Sequence, residues 1–420
     1  MTPHRLFPAV LLLGAALPAQ ATTLDEAIAA AMTHAPDIAA AQADADGAQA
    51  RVREAQAGGL PSVTVSGSIG YGRLDPRNFF GLGAADVTPR AAQVTVEQPL
   101  FAGGRVRNGI AQARAGSEAA RIGEDATRSQ IVVAVAQAYG DALTSRRLLA
   151  LQQDLLVQTT EIERQARLRY KAGESPSTDV SQAAARFAEA QAGIARAQGL
   201  RIAADARFTS LTGLPADDLQ PFAAVPDVPA TLDEAMEAAL AHNPWLAQAR
   251  AALRGAQAGA RAARGERLPT VGAFAEGGTV RDQFFPGYKA DSAMVGVRAR
   301  WSLFAPGVAA RIDGSDSAAR AAQAREAAME AQVREQVIAA FQDVRTAALV
   351  EAASARQAQA ALQARDSVAQ EVRVGMKPQL DLLDAEREAT AAAAAQARAG
   401  ADRMVAAYRL LTLMGRAPGP

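Results

Sequence analysis

Two hydrophobic periods alternate along this chain, and they do so twice. In one segment Val63, Val65, Ile69 and Tyr71 fall on one side of a two-residue period, and Ser62, Thr64, Ser66 and Ser68 fall on the other. Further on, Val94 and Val96 oppose Gln93, Thr95 and Glu97. In the second half Val295, Val297, Ala299, Trp301 and Leu303 oppose Arg298, Arg300 and Ser302. A period of two marks half-buried strands. Strands of about ten residues, apolar on one face and polar on the other, suit a tilted transmembrane barrel. The strand beginning at Thr270 breaks the rule, because Phe274 shares a side with Glu276. After each strand pair the period lengthens into an alanine-rich helical run, from Arg105 to Lys171 and from Ala309 to Arg373. At 1.5 Å per residue each run is roughly 100 Å long.

The elements repeat in order. Thr23-Leu-Asp-Glu-Ala-Ile returns as Thr231-Leu-Asp-Glu-Ala-Met, and Leu60-Pro61-Ser-Val as Leu268-Pro269-Thr-Val. Gly173-Glu-Ser-Pro-Ser-Thr-Asp179 is answered by Gly375-Met-Lys-Pro-Gln-Leu-Asp381, and Leu211-Thr-Gly213 by Leu413-Met-Gly415. Thr23 with Glu26, and Thr231 with Glu234, have capping-box spacing and start a short helix. It stops near Pro36 or Pro244, and a second helix runs on to Gly58-Gly59 or to about Gly265. Gly173 and Gly375 turn each long run back on itself. Pro176 and Pro378 suit a first helical turn, with Ser175 as an N-cap. Two shorter helices stacked end to end should therefore lie along each long one. The expected units are 22–214, with a β-hairpin near 61–101 and a helical hairpin near 105–212, and 231–415, with a β-hairpin near 269–304 and a helical hairpin near 309–414. A proline-rich linker, 215–230, joins them, and 416–420 form a short tail.

Composition narrows the picture. The 44 basic and 44 acidic residues balance, which argues against a nucleic-acid partner. There is no cysteine, so disulfides, thiolate metal sites, cysteine nucleophiles and lipidation of a cysteine are ruled out. His34 and His242 occupy matching positions in the repeat and read as scaffold, and neither a metal site nor a cofactor is expected. Residues 1–21 read as a secretory signal: a basic start, an apolar run from Leu6 to Leu17 too short to span about 30 Å of hydrocarbon, and Ala19-Gln20-Ala21 as a cleavage site. About half of the aromatic residues lie in the two β-hairpins, including Asn78-Phe79-Phe80 and Gln283-Phe284-Phe285 in the loops, as an interfacial belt requires.

The duplicated motifs together resemble the TolC family of outer-membrane efflux and type I secretion channels. They are Leu24-Asp25-Glu26-Ala27 and its copy, Leu60-Pro61 and Leu268-Pro269, Gln98-Pro99-Leu100-Phe101 and Trp301-Ser302-Leu303-Phe304, and Gly375 with Asp381-Leu382-Leu383-Asp384-Ala385. The resemblance implies a mainly α protein with a transmembrane β-barrel: four strands per protomer, twelve in a homotrimer, continued by a coiled-coil-like helical tunnel. It implies a passive outer-membrane exit duct reaching into the periplasm, in contact with outer-membrane lipid. The duct would be opened at its periplasmic tip by an adaptor and by an inner-membrane pump or ABC exporter. Four strands alone cannot close a barrel, since an open edge in lipid leaves backbone groups unsatisfied.

Several residues acquire expected roles. Glu97, Glu276, Arg298 and Arg300 lie on the polar side of their strands, as lumen residues or as solvated charges at the rims. By resemblance, Gly173, Glu174, Gly375 and Met376 form the adaptor-docking tip. Lys377 is placed to contact Asp179 on a neighbouring hairpin, closing the gate. Asp381 and Asp384 correspond to acids at the tunnel's narrowest point, where two rings of carboxylates would select cations. Acids in a first helical turn also simply suit the helix dipole. A periplasmic coiled-coil scaffold would account for the helices but not for the two alternating hairpins. No nucleophile–base set or phosphate loop supports an exported hydrolase.

Overall fold

The computed structural model describes residues 21–75 and 83–416. Residues 1–20 of the expected signal, Asn78-Phe79-Phe80 and the end of the tail lie outside these residues. The order of elements follows the repeat. Helices α1 (Leu24–His34) and α2 (Pro36–Ala57) precede strands β1 (Ser62–Ile69), β2 (Gly72–Leu74), β3 (Ala85–Val87) and β4 (Arg90–Ala102). Helices α3 (Arg105–Lys171) and α4 (Ser177–Thr212) complete the first copy. The second copy is α5 (Leu232–His242), α6 (Pro244–Arg264), β5 (Thr270–Arg281), β6 (Lys289–Arg300), α7 (Val308–Arg373) and α8 (Gln379–Leu413).

One antiparallel sheet has the order β1-β4-β5-β6. Its register sorts the side chains. Ser62, Thr64 and Ser66 align with Glu97, Thr95 and Gln93, and these with Phe274, Glu276 and Gly278. The next row adds Arg298 opposite Gly272 and Arg300 opposite Thr270. The other face carries Val63, Val65, Val94, Val96, Val271, Ala273, Val295 and Val297. That face is open: Val65 is 73% exposed and Val295 81%. β1 and β6 are both unpaired edges. Pro99, which cannot donate to a ladder, sits at a register shift between Pro99 and Phe101. The Gln98 side-chain amide donates to the Gly59 carbonyl at 2.8 Å, tying the exit of β4 to the entry of β1. Gly103, at φ 62°, crosses Gly265 so closely that a Cβ there would lie 2.3 Å from the Gly265 oxygen. The small β2–β3 ribbon within the first loop was not foreseen; Arg73 and Asp86 pair across it at 3.6 Å.

As expected, α2 and α4 lie along α3, and α6 and α8 along α7; α3 also packs against α6 and α8, joining the two copies. Buried positions in α3 run Leu155, Thr159, Ile162, Ala166, and those in α4 run Ala183, Ala190, Ala197. These four-three and seven-residue steps are the seam of a left-handed coiled coil. Ala358, Ala361, Ala389 and Ala392 form the matching alanine seam of α7 and α8. Larger side chains gather at the middle of the molecule. Ile28, Val132, Tyr139 and Phe208 form one cluster, and Leu246, Val333, Val337 and Leu410 another.

Three local expectations need correction. Only Thr23 makes a reciprocal capping box with Glu26, while Thr231 accepts from Glu234 N without the return bond. Ser175 does not cap α4: the helix begins at Ser177 behind Pro176, and the buried Ser175 hydroxyl has no partner. The 215–230 linker is a packed strap. Leu219 bridges Thr22, Phe222 packs against Tyr139 with the rings tilted, and the Tyr139 hydroxyl reaches the carbonyls of Thr22 (2.8 Å) and Gln220 (2.6 Å). His34 and His242 each lie against the positive-φ glycine that ends a returning helix, Gly213 and Gly415, consistent with a scaffold role.

The protomer exposes 25624 Å². A compact monomer of 43.5 kDa would expose about 15,000 Å². The exposed face of the unclosed sheet contributes to that excess.

Candidate functional site

The two ends of the molecule hold the candidate residues. At the far end of the helices both hairpins turn in the same way. Gly173 N donates to Tyr170 O and Glu174 N to Arg169 O; Gly375 N donates to Val372 O and Met376 N to Glu371 O. These are paired Schellman motifs, which require the left-handed backbone that glycine adopts without strain. Gly173 has φ 76° and Gly375 φ 80°, and nothing lies within 4 Å of a Cβ built on either. Val374 and Met376 stand 68% and 76% exposed beside the second turn. The expected docking tip is therefore an open surface with an apolar edge.

Just inside the tip the two hairpins meet through polar groups. Gln379 of α8 hydrogen-bonds Gln165 of α3. One turn further, Asp384 accepts from Arg186 of α4 at 3.4 Å and lies 3.8 Å from Arg387. Glu189 binds both arginines, Arg186 at 3.0 Å and Arg387 at 3.1 Å. Two acids and two arginines thus form a closed ring of charge with no net sum. Asp381, one turn nearer the tip, is exposed and has no ion-pair partner among the described residues. The two acids grouped by sequence are therefore electrostatically unlike. The signal that sequence reading passed over was Arg186-x-x-Glu189 beside Asp384-x-x-Arg387, the same pair in opposite order on two helices.

Lys377 bonds Glu371 of its own hairpin at 2.9 Å, and that carboxylate holds the ammonium above its ordinary range. Within one protomer it does not meet Asp179, which is half-buried near the start of α4. Farther up, Glu386 lies between α7 and α8, 3.8 Å from Arg365. Burial pushes its carboxyl up, and Arg365 opposes this only in part.

At the sheet end, Glu97, Glu276, Arg298 and Arg300 share one face. Arg298 donates to Glu276 at 3.0 Å and lies 4.4 Å from the Phe274 ring centroid. That contact explains the irregular strand, since Phe274 stands on the polar face as a platform for a guanidinium. Glu97 and Arg300 have no ion-pair partner among the described residues, and both line a cavity with Arg105 and Arg298 where the sheet joins the helices. No described helix is long and apolar enough to cross a membrane, and the sheet carries an exposed apolar face. Its 12-residue strands are about 40 Å long, or roughly 28 Å tall at a 45° tilt.

Comparison with known proteins matches the same frame. The family model described as outer membrane efflux protein covers residues 27–214 and 235–416, one segment per repeat. The outer membrane efflux protein BepC of Brucella suis is 29% identical over 418 residues, covering 97% of this chain and 89% of that protein. The alkaline protease secretion protein AprF of Pseudomonas aeruginosa is 29% identical over 235 residues, 53% of this chain and 48% of that one. Among solved structures, the CmeC outer membrane channel of Campylobacter jejuni superposes with a TM-score of 0.84 at 14% identity, over 94% of this chain and 86% of that one.

Proposed function

The chain belongs to the outer membrane efflux protein family, and from that premise we propose that three copies close their open sheets into one twelve-stranded barrel above a shared helical duct. The protein is an outer-membrane efflux channel that extends into the periplasm. The family works with an adaptor and an inner-membrane pump. The observation that carries the oligomer is the four-stranded sheet with two open edges and an exposed apolar face. In lipid such edges must be paired, and pairing β6 of one copy with β1 of the next satisfies both. Closure needs about eight strands or more, hence at least two protomers; the resemblance to the family favours three.

In this reading the polar face lines the lumen, with Glu97, Glu276, Arg298 and Arg300 as its charges. The turns at Gly173-Glu174 and Gly375-Met376 dock the adaptor. Lys377 exchanges its Glu371 partner for Asp179 of a neighbouring protomer when the gate is shut. Asp381 supplies the carboxylate ring that no ion pair closes at the aperture, while the charge of Asp384 is offset by Arg186 and Arg387. The duct does no chemistry on its cargo, and the choice of cargo belongs to the pump that engages the tip.

Because the chain has no cysteine, single cysteines test the face assignment without background. Arg298→Cys and Arg300→Cys should label with a membrane-impermeant maleimide, and Val295→Cys and Val297→Cys should not. The reverse pattern would contradict the barrel orientation.

A further inference from the structure

The apolar face of the sheet is interrupted by cations in one place only. The outermost paired row, farthest from the helices, reads Ile69, Arg90, Arg281, Lys289 across the four strands. These positions share a face with Val63, Val94, Val271 and Val295, so the three cations stand on the side turned away from the polar face. Every other described position of that face on the paired strands is apolar, small or uncharged, apart from Asp291 in the adjoining row.

Directly opposed residues in a sheet stand about 5 Å apart, and like charges so placed destabilise the pairing. Asp291 offsets only one of the three. It accepts from Thr279 at 2.7 Å and from Arg281 at 2.9 Å. Arg90 and Lys289 are exposed and have no ion-pair partner among the described residues. Tyr71, 80% exposed, extends the Ile69 column outward, and Tyr288 packs with Phe284 and Phe285 in the neighbouring loop. Just beyond the helix-proximal end of the paired strands, Leu268, Trp301 and Leu303 stand exposed instead of cations. Cations on a lipid-facing surface are costly at mid-membrane and tolerated at the interface. A row of them flanked by aromatics marks the level of the headgroups.

We infer that Arg90, Arg281 and Lys289 form a binding site for the phosphates of the glycolipid that builds the outer leaflet of the membrane. Arg281 is already oriented by Asp291, and Arg90 and Lys289 on either side supply the net positive charge. Arginine matches a phosphate with two parallel N–H donors and lysine adds a point charge. The ligand would relieve the like-charge crowding in the row, and the Ile69 and Tyr71 column would lie against its acyl chains. Closure of the barrel would repeat the site once per protomer, fixing the height of the barrel from its outer rim.

The inference rests on the membrane orientation proposed above, and its failure is separable from failure of that orientation. Purified full-length protein in detergent is titrated with bisphosphorylated lipid A and bound lipid is counted by native mass spectrometry. Wild-type protein should bind it, and Arg90→Gln/Lys289→Gln should bind roughly 20- to 30-fold more weakly, from two interfacial cations removed. The variant should retain heat-modifiable oligomers and channel activity. Inorganic phosphate at millimolar concentration should not displace the lipid. Equal binding by wild type and variant would overturn the site, as would equal binding of dephosphorylated lipid A. Phosphatidylglycerol binding as tightly, or displacement by inorganic phosphate, would overturn the assignment to a phosphorylated glycolipid. Loss of oligomers and conductance in the wild type itself would instead sink the channel reading.

Discussion

Replacing Arg186 with glutamine should make the channel more sensitive to block by divalent cations without unfolding it. The direct pair with Asp384 spans 3.4 Å between side chains that are 36% and 67% exposed. At a water-like dielectric this is worth about 1.2 kcal/mol before the entropy of holding both chains, and 0–1 kcal/mol after it. The hairpins keep the Gln165–Gln379 and Glu189–Arg387 links, so local structure should survive. The charge changes more than the stability does. The four-residue ring goes from no net charge to one negative charge per protomer, three in the proposed trimer. Each acts on a divalent cation about 6 Å away with about 1.4 kcal/mol, roughly halved by physiological salt. Three such charges give about 2 kcal/mol, or a 20- to 30-fold lower half-blocking concentration. Magnesium added to the periplasmic side of a planar bilayer reads this directly. Asp384→Asn should weaken block, and Asp381→Asn should weaken it further because no ion pair closes on that carboxylate, which the Lys377 ammonium reaches only through space. An Arg186→Gln channel with wild-type magnesium block would place the charge ring off the permeation path and refute the reasoning.

Met376→Glu should abolish export while leaving oligomers in the membrane, because Met376 is 76% exposed on the docking turn and outside the left-handed glycine position; an export assay beside a heat-modification gel checks both, and full export would remove the tip from the docking account. Tyr139→Phe leaves the Thr22 and Gln220 carbonyls without their shared donor and should cost about 1–3 kcal/mol in thermal unfolding. Glu386→Gln has a pH signature. Its carboxyl is held above the ordinary value by burial, so the folded state bears a cost once the group is ionised, above that raised value. The variant should therefore be the more stable protein at pH 8, with the difference fading as pH falls through the raised value towards the unfolded carboxyl's ordinary value of about 4.3; denaturation at pH 8, 6 and 4 measures it, and a difference that grows on acidification would contradict the burial argument.

Much of the fold was legible because period and punctuation agreed. The valines at 63, 65, 94 and 96 and the capping threonines marked elements that the structure places where the pattern does. The long runs were bounded by Gly173 and Gly375, whose backbone conformation no other residue adopts without strain. What escaped depends on contacts between segments distant in sequence. Ser175 looks like a cap by type, yet Pro176 moves the helix start past it. Phe274 looked misplaced until Arg298 came to lie over it from the next strand. Asp381 and Asp384 read as equivalent because three-residue spacing puts them on one helix face. Only the approach of α4, with Arg186 and Glu189, separates their roles. The row of Arg90, Arg281 and Lys289 was invisible for the same reason, since the three residues meet only through strand register.

The central claim is that copies of this chain close into a membrane channel, and the most direct test is the conductance of the purified, unheated oligomer in a planar bilayer, with its mass measured in the same detergent. The account predicts a particle of three protomers, migrating faster before heating than its boiled mass ladder allows, that inserts from one side and gives discrete, uniform current steps. A water-soluble monomer or dimer that leaves the bilayer silent would contradict it.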